Sequence, residues 1–429
     1  MAVVRLSGPG ASTSVQQLTG DASLPHATMR LRTLRDPGTG QLLDRGYVVH
    51  FHQPRSYTGE DVVEFHVHGA PAGVDRLLAA LCRLGARVAR PGEFTFRALL
   101  AGKLDLSQAE ALLDVLHAGG ADQHRAALQH LDGVTSRMVD ALRTPLLRAT
   151  AEIEARLDFA AEPHLASFDA EPLRADLAGL ASRMRALAAT AEAGRIRVRG
   201  ARVVLVGAPN AGKSTLLNAV CGNDRAIVDA RPGTTRDTLE VRTAPQGTAV
   251  TWIDTAGLRQ TDDPVEAEGT RRAHAELATA DLVLWVVDQS EPPGQMPGAK
   301  SPLVAVRTKG DLAVHPAVQA HPQLANAQVV SAARGVGVQA VLDVVVGEVR
   351  KLSATAGDGV AVARQRHADQ LGRAAAALER ATAQLDGEPA LELVAADLRD
   401  ALDALDELTG PMTPDDVLGA IFSEFCIGK

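Results

Sequence analysis

Residues 207–214 read GAPNAGKS, and this run decides the fold of the chain around it. It follows the compact apolar segment Arg202–Val206 and precedes a segment predicted to be helical from Thr215. A G-x-x-x-x-G-K-[ST] pattern between a strand and a helix is typical of a phosphate-binding loop. The glycines let backbone N–H groups surround phosphate oxygens, and the helix N-terminus adds partial positive charge. We therefore predict that Lys213 reaches the β- and γ-phosphates of a nucleotide and that Ser214 ligates Mg²⁺.

Two polar elements that come later in the chain suit the same metal and the γ-phosphate. Residues 233–235 read GTT, and Thr235 can complete the Mg²⁺ shell. Residues 254–257 read DTAG and end the predicted strand Val250–Ile253. Asp254 suits an outer-sphere contact to Mg²⁺, and the Gly257 N–H suits the γ-phosphate.

A third element predicts that the base is guanine. Residues 308–311 read TKGD and end the predicted strand Leu303–Val306. The Asp311 carboxylate can accept hydrogen bonds from guanine N1 and N2, which adenine does not offer, while the stem of Lys309 packs on the base. Asn is common where Thr308 stands, but Thr keeps a hydroxyl that can tether the loop. The run SAA at residues 331–333 resembles a loop that offers backbone N–H groups to guanine O6.

The residue after DTAG bears on how GTP is hydrolysed. Ras-like enzymes place a Gln there to orient water, and this chain has Leu258. Glu266 is a candidate to replace that Gln, although a solvated surface acid has the same appearance in a sequence. Asn210 can hold K⁺ against the β/γ-bridging region, where an arginine finger acts in other enzymes, with the backbone of Asp229 to Arg231 and Thr234 as further ligands. The predicted GTP contacts are Asn210, Ala211, Gly212, Lys213, Ser214, Thr215, Asp229, Ala230, Arg231, Pro232, Gly233, Thr234, Thr235, Asp254, Thr255, Ala256, Gly257, Thr308, Lys309, Asp311, Ser331, Ala332 and Ala333.

Outside the nucleotide motifs, the texture of the sequence changes along the chain. Residues 1–103 read as mixed α/β, with predicted strands at Tyr47–Phe51 and Val62–Val67 and a predicted helix at Leu77–Leu84. Ala/Leu-rich helical patterns follow, give way to strands near residue 201, and return near residue 351. We predict a multidomain α/β plus all-α protein. Its parts are an N-terminal α/β domain (1–103), a discontinuous helical domain (104–198 and 354–429) and an inserted Ras-like P-loop GTPase domain (199–353) with a mainly parallel sheet.

Composition excludes several classes of protein. The 429 residues include 44 Lys and Arg against 52 Asp and Glu, a net charge of −8, which excludes a uniformly basic nucleic-acid binder but not one basic face. Three scattered cysteines predict neither a disulfide framework nor a zinc cage, and favour a reducing cytoplasm. No apolar run reaches about 18 residues, so no membrane-spanning helix is expected, and the N-terminus lacks the pattern of a signal peptide.

With these residues in view, the chain resembles the MnmE (TrmE) family of tRNA-modification GTPases over nearly its whole length. The resemblance lies in the GTPase motifs and in four further runs. The pentapeptide at 425–429 is the most specific, because unrelated GTPases lack it. The four runs are YTGED at 57–61, RPGEFT at 90–95, GKLDL at 102–106 followed by QAE at 108–110, and FCIGK at 425–429.

The resemblance implies a homodimer formed by N-terminal domains that bind 5-formyltetrahydrofolate or a related one-carbon tetrahydrofolate. The folate-contacting positions of the family match Arg5, Glu64, Lys103 and Lys429. The GTPase domains are implied to dimerise transiently around K⁺, and the catalytic acid of the family falls on Glu266. The implied partners are tRNA and an FAD-dependent MnmG-type protein in a heterotetramer. Together they would add an aminomethyl- or carboxymethylaminomethyl-type group to carbon 5 of the wobble uridine U34.

Several interpretations of single residues stay open at this stage. Cys426 fits a catalytic role near the folate or a small buried side chain, but its surroundings do not fit a prenylation box. His66 and His68 alternate along a predicted strand and are either an ordinary pair or metal ligands that lack an evident third partner. Where relatives have about twenty more residues, this chain begins at Met1, so a late start or a shortened form is expected to affect the placement of Arg5.

Two other functions compete with tRNA modification. A ribosome-assembly GTPase switch would need a basic RNA-binding appendage after the GTPase domain, where this chain returns to Ala/Leu helices. A signalling switch without chemistry of its own is disfavoured by the folate-like N-terminal domain. Candidate tRNA contacts are the basic residues Arg195, Arg197, Arg199, Arg202, Arg364, Arg366 and His367, although such clusters are usually solvated faces.

Overall fold

The structure is a computed structural model that describes residues 1–21, 24–158, 169–223, 239–254, 275–354, 362–387 and 389–410. The described chain divides into two compact units. The first contains Met1–Leu113, and the second contains Asp114–Ala404; residues 405–410 group with the first. None of the helices within these ranges is long and apolar enough to cross a membrane.

The first unit contains a four-stranded antiparallel sheet with the order β1-β4-β3-β2. The Val62–Val67 prediction matches β4, Tyr47–Phe51 is the second half of β3, and the helix predicted at Leu77–Leu84 begins earlier because Pro71 occupies its first turn. Apolar side chains of the sheet pack against those of α1 and α2 in one core. The elements are β1 (Ala2–Ser7), α1 (Ala11–Thr19), β2 (Arg30–Arg35), β3 (Leu42–Phe51), β4 (Val62–Val67), α2 (Pro71–Arg83) and α3 (Glu93–Leu100).

Five helices follow α3 in the chain. The sequence pattern from residue 108 to 158 is interrupted at Gly119-Gly120 and at Gly133, so it forms three helices. The pattern from residue 172 to 193 likewise divides near residue 189. The helices are α4 (Leu106–His117), α5 (Ala121–Leu131), α6 (Val134–Asp158), α7 (Glu171–Ala188) and α8 (Ala191–Arg199).

The second unit also contains a six-stranded sheet with the order β10-β9-β8-β5-β7-β6. Every neighbouring pair is parallel except β6 with β7, which confirms the predicted mainly parallel sheet. The elements are β5 (Ala201–Val206), α9 (Lys213–Asn223), β6 (Leu239–Thr243), β7 (Val250–Asp254), β8 (Leu282–Asp288), β9 (Leu303–Thr308), α10 (Pro316–Gln319), β10 (Gln328–Val329) and α11 (Val338–Ala354).

Alternation along β5 explains why this sheet has a buried core on both faces. Val203 and Leu205 pack in one apolar cluster with Leu216 of α9 and Val341 of α11. Val204, on the opposite face, packs in a second cluster with residues of β7 and β8. Because successive side chains of a strand point to opposite faces, a continuous apolar run is what a doubly covered parallel strand requires.

Two long helices complete the described chain, α12 (Gln365–Ala383) and α13 (Leu391–Thr409). Helix α12 packs against α7, and the guanidinium of Arg185 donates to both carboxylate oxygens of Glu379, at 3.0 and 2.9 Å. The two residues are 194 positions apart, and the strands of the six-stranded sheet lie between them in the sequence. Helical segments that precede and follow the sheet in the sequence therefore pack together.

His130 on α5 gives the second unit a dependence on pH. Burial lowers its pKa from the usual 6.5 to about 4, helped by the positive charges of His367, Arg364 and Arg197. At pH values between these two pKa values, His130 is protonated in the unfolded chain but neutral in the folded chain. The free energy of unfolding therefore falls as pH drops from about 6.5 towards 4.

We expect His130→Gln to remove this loss. From pH 7.5 to pH 5 the wild type should lose about 1–2 kcal/mol more unfolding free energy than the variant, measured by urea denaturation. His124→Gln, at an exposed position of the same helix, is the matched control and should follow the wild type. Equal pH dependence in the wild type and His130→Gln would contradict the assignment.

Candidate functional site: a nucleotide-binding loop

The loop at residues 207–214 joins β5 to α9 at the carboxyl edge of the six-stranded sheet. A Cβ on Gly207 would lie 2.1 Å from the carbonyl oxygen of Val286 in β8, so only glycine fits there. Gly212 has φ +87°, and Asn210 has φ +61°, a backbone conformation that non-glycine residues seldom adopt. β5 lies between β8 and β7, the point at which the strand order reverses and where such sheets bind their ligands.

Lys213, near the end of this loop, directs its ammonium group back to the start of the loop. Its side chain crosses the loop, and its ammonium group donates to the carbonyl oxygens of Gly207 at 2.7 Å and Ala208 at 2.9 Å. Only 5% of Lys213 is exposed. Burial lowers its pKa, and the nearby carboxylate of Asp254 opposes that shift. The ammonium group is thus held within the loop, where phosphate oxygens would bind.

Ser214 and Asp254 place hydroxyl and carboxylate oxygen atoms side by side at the end of the loop. The Ser214 hydroxyl donates to Asp254 Oδ2 at 2.6 Å, and Asp254 is fully buried at the end of β7. A hydroxyl beside a carboxylate is a hard-oxygen donor set of the kind that Mg²⁺ prefers. The residues present therefore fit the ion that the motif implies.

Thr308 connects the guanine element to the loop. Its hydroxyl, at the end of β9, lies 2.5 Å from the carbonyl oxygen of Ala211 and 3.1 Å from that of Val287, and the residue is 1% exposed. This is the tether that the Thr hydroxyl was expected to provide. The next residue, Lys309, has φ +54°, and its ammonium lies 2.5 Å from Asp288 Oδ2.

Asp311 is held by a hydroxyl from the neighbouring loop. Ser331 Oγ donates to Asp311 Oδ1 at 2.7 Å, and Arg334 Nη2 lies 3.7 Å from the other carboxylate oxygen. The hydrogen bond from Ser331 is the main reason that the pKa of Asp311 lies below its usual value. The carboxylate therefore stays ionised and can accept hydrogen bonds from a base.

A pocket of about 350 Å³ lies beside the loop. It is lined by Pro209 and Asn210 of the loop, by Asp288 and Lys309 at strand ends, and by Glu291. Sequence analysis did not single out Asp288, although an acid directly after the apolar run 282–287 is the kind of signal that located Asp254.

Part of the predicted nucleotide site lies outside the described residues. The structure brings together the loop, Asp254 and the elements at 308–311 and 331–333. The predicted contacts that it does not describe are Asp229, Ala230, Arg231, Pro232, Gly233, Thr234, Thr235, Thr255, Ala256 and Gly257, and the same holds for Leu258 and the candidate base Glu266.

Two of the predicted folate residues, Arg5 and Glu64, lie on adjacent strands. Arg5 of β1 stands opposite Glu64 of β4, and its guanidinium donates to Glu64 Oε1 through Nε at 3.0 Å and Nη2 at 2.8 Å. The Arg5 guanidinium carbon also lies 5.7 Å from the ring centre of Tyr57. Lys103 Nζ donates to the carbonyl oxygen of Pro54 at 2.6 Å. Lys429 and Cys426 lie outside the described residues.

His66 and His68 contact different carboxylates. His66 Nε2 lies 3.2 Å from Glu64 Oε2, and His68 Nδ1 lies 2.8 Å from Asp44 Oδ1. They are thus separate histidine–carboxylate pairs.

Four of the candidate tRNA-contacting arginines make ion pairs within the described part of the second unit, among them Arg199, whose Nε lies 3.9 Å from Asp114 Oδ1. Arg195 pairs with the buried Asp281, Arg202 Nη2 lies 2.9 Å from Glu276, and Arg364 Nη2 lies 2.8 Å from Asp114. These contacts reduce the positive charge that the cluster can offer to RNA.

Comparison with known proteins covers the whole chain. Residues 1–103 match the family described as "GTP-binding protein TrmE N-terminus", and residues 106–426 match "MnmE helical domain". The tRNA modification GTPase MnmE of Methylorubrum populi is 44% identical over 438 residues, which cover 100% of this chain and 95% of that protein. MnmE of Xanthomonas campestris pv. campestris is 44% identical over 435 residues with the same coverage.

One solved structure in the comparison, Era of Aquifex aeolicus, is 26% identical over 34% of this chain and 56% of that chain, with a TM-score of 0.27. The full-length identity to the MnmE proteins and the match to both family descriptions are much more extensive. The chain therefore belongs to the MnmE (TrmE) family of tRNA-modification GTPases.

Proposed function

We propose that this protein is a K⁺-dependent GTPase that modifies carbon 5 of the wobble uridine U34 in certain tRNAs. It acts with an FAD-dependent MnmG-type protein in a heterotetramer and adds an aminomethyl- or carboxymethylaminomethyl-type group. The observation that carries the nucleotide part is the meeting of the 207–214 loop, Asp254 and Asp311 at one edge of the parallel sheet. Membership of the MnmE family supports the tRNA part.

The described residues have distinct roles in binding GTP. Lys213 neutralises the β- and γ-phosphates, and the backbone N–H groups of the loop bind their oxygens. Ser214 would ligate Mg²⁺ directly, Asp254 would make an outer-sphere contact to it, and Thr235 would be a further ligand. When bound, Mg²⁺ offsets the negative charge on the β- and γ-phosphate oxygens. Asp311 selects guanine.

Hydrolysis needs a group that orients water and a cation that offsets the developing charge. We assign the first role to Glu266, because Leu258 has no polar group with which to orient water. We assign the second role, that of the cation, to K⁺ bound by Asn210 and Thr234 together with the backbone of Asp229 to Arg231. In the described part of this site, Asn210 belongs to the phosphate-binding loop, and it lines the pocket that is also lined by Asp288.

We further propose that the N-terminal domains form a homodimer and bind a one-carbon tetrahydrofolate such as 5-formyltetrahydrofolate. Support comes from the neighbouring positions of Arg5 and Glu64, whose charges suit the folate carboxylates or ring carbonyl and the pterin N–H groups. Lys103 and Lys429 would add positive charge. Cys426, four residues from the chain end, is proposed to act near the folate.

Arg5→Gln is expected to weaken binding of 5-formyltetrahydrofolate about 10–100-fold, because it removes a charge-assisted hydrogen bond and leaves Glu64 without its cation. Calorimetric titration of the full chain measures the change. Arg30→Gln, at an exposed position of β2, is the control and should bind like the wild type. Unchanged affinity in Arg5→Gln would remove Arg5 from the folate site.

Mass spectrometry of tRNA tests the proposed function as a whole. Cells that lack this protein should lose the modified wobble uridine, and the wild-type gene should restore it. A gene encoding Lys213→Ala, which lacks the phosphate-binding cation, should not. Normal U34 together with defective ribosomal subunits in the deletion strain would favour the ribosome-assembly function instead.

A further inference from the structure

Two histidines and an aspartate of the first unit converge on one point. His50 belongs to β3, His52 follows that strand, and Asp61 immediately precedes β4. His50 Nε2 lies 3.6 Å from Asp61 Oδ1, and His52 Nδ1 lies 4.0 Å from the same oxygen. One ligand atom from each residue lies within 4.8 Å of the other two.

The hydrogen bonds of His52 fix which ring nitrogen is available. Its Nε2 lies 2.9 Å from the carbonyl oxygen of Leu24, which can only accept, so Nε2 carries the proton. The Nδ1 lone pair then faces Asp61. The His26 ring stacks on His52 with centroids 5.9 Å apart, and its Nδ1 accepts from the His52 backbone N–H at 3.0 Å. A second partner on the other ring nitrogen is the usual arrangement of a metal-binding histidine.

His50 is positioned by burial and ring packing, and Asp61 by hydrogen bonds. The His50 side chain is 4% exposed, and its ring centre lies 4.0 Å from that of His52. Asp61 Oδ1 accepts from the Gln53 backbone N–H at 3.0 Å, and Oδ2 accepts from Ser12 Oγ at 3.1 Å. Because the Ser12 hydroxyl donates its proton to Asp61, its oxygen accepts from His50 Nε2 at 3.2 Å, and His50 would move the Nε2 proton to Nδ1 or release it when Nε2 binds a cation. The carboxylate is thus oriented by surrounding donors and keeps capacity to accept from a cation.

We propose that His50 Nε2, His52 Nδ1 and Asp61 bind a divalent cation of the zinc class, with water at the remaining position. In tetrahedral zinc sites the ligand atoms lie about 3.3 Å apart, as follows from bonds of about 2.0–2.1 Å. The distances of 3.6 and 4.0 Å are close to that separation. Two imidazoles and one carboxylate favour Zn²⁺, Co²⁺ or Ni²⁺ over the hard cations Mg²⁺ and Ca²⁺. His52, at 38% side-chain exposure, gives the cation access from solvent.

The cation would link the end of β3 to the start of β4. It would thus hold together the two ends of the segment between them, residues 53–60. That segment contains Tyr57, beside Arg5, and Pro54, which accepts from Lys103. Binding to the folded state alone should therefore raise the thermal midpoint of the protein.

Cobalt titration of the full chain tests the site. The protein is stripped with EDTA, freed of nucleotide and kept in excess Mg²⁺, so that hard-oxygen sites are occupied. We expect one equivalent of Co²⁺ to give visible absorption bands of imidazole-bound Co²⁺, which Zn²⁺ then abolishes. His52→Gln should weaken binding at least about 10-fold and remove the Zn²⁺-dependent rise in thermal midpoint.

His68→Gln is the matched control, because His68 also faces a carboxylate in this unit but lies outside the cluster. It should bind Co²⁺ like the wild type. Asp61→Asn, which keeps the side-chain shape, gives a second test that does not depend on how His52→Gln folds, and circular dichroism checks both. Absence of the bands in the wild type, or equal binding by the wild type and Asp61→Asn, would overturn the proposal.

Discussion

GTP turnover by the Glu266→Ala variant is expected to fall about 10²–10⁴-fold, while its affinity for GTP stays near that of the wild type. Three described aspartates of the nucleotide site already have partners. Asp254 accepts from Ser214, Asp288 pairs with Lys309, and Asp311 accepts from Ser331. Leu258 stands where Ras-like enzymes have Gln and cannot orient water, and we propose that Glu266, in the segment after it, does so.

The same reaction is expected to depend on K⁺. Turnover should be highest in KCl and much lower in NaCl or choline chloride, because carbonyl-type ligands in a wide loop suit the larger and less tightly hydrated ion. Asn210→Ala should reduce the difference between KCl and NaCl, since it removes one of the proposed ligands. Lys213 donates to the carbonyl oxygens of Gly207 and Ala208, so its charge lies at the loop, and we propose that K⁺ supplies a second positive charge beside it.

Steady-state hydrolysis in the three salts measures both effects, and nucleotide titration measures affinity separately. Glu268→Ala, two residues from Glu266 in the same polar segment, is the matched control and should turn over like the wild type. Rates that ignore the cation would remove K⁺ from the mechanism. Normal hydrolysis by Glu266→Ala would require a different group to orient the water.

Local pattern predicted the strands and the loop of the nucleotide site. The apolar runs at β5, β7, β8 and β9 were recognisable because a strand covered on both faces needs apolar side chains at every position. The loop was recognisable because it requires glycine at two positions: a Cβ at Gly207 would clash with the backbone of Val286, and Gly212 has a positive φ. The helix after it begins at Lys213, two residues before the predicted start. β6 was missed, because its sequence LEVRT mixes charged and apolar residues.

Contacts between distant segments could not be predicted in this way. The pairing of Arg5 with Glu64 depends on the register of β1 against β4, which places residues 59 positions apart side by side. The His50, His52 and Asp61 cluster depends on the path of the segment that joins β3 to β4. Its H-x-H spacing was visible, but sequence analysis considered only the similar pair His66 and His68, which contact separate carboxylates.

The Asp311→Asn variant is expected to lose GTP affinity by about 10²–10⁴-fold and to bind xanthosine triphosphate better than the wild type does. Ser331 donates to Asp311 Oδ1, and an asparagine Oδ1 can accept the same hydrogen bond. The loop should therefore keep its structure while the amide NH₂ replaces the second carboxylate oxygen. That NH₂ cannot accept from guanine N1 and N2, but it can donate to the C2 carbonyl of xanthine.

Titration of GTP, xanthosine triphosphate and ATP against both proteins measures this change in preference. Asp343→Asn on α11 is the matched control, because Asp343 accepts from Gln246 and Gln339 at an exposed position and should leave all three affinities unchanged. The Thr308 hydroxyl donates to the carbonyl oxygen of Ala211 and so links the segment that contains Asp311 to the phosphate loop. If the wild type bound ATP as tightly as GTP, Asp311 would not be selecting the base, and its contact with Ser331 would only stabilise the loop.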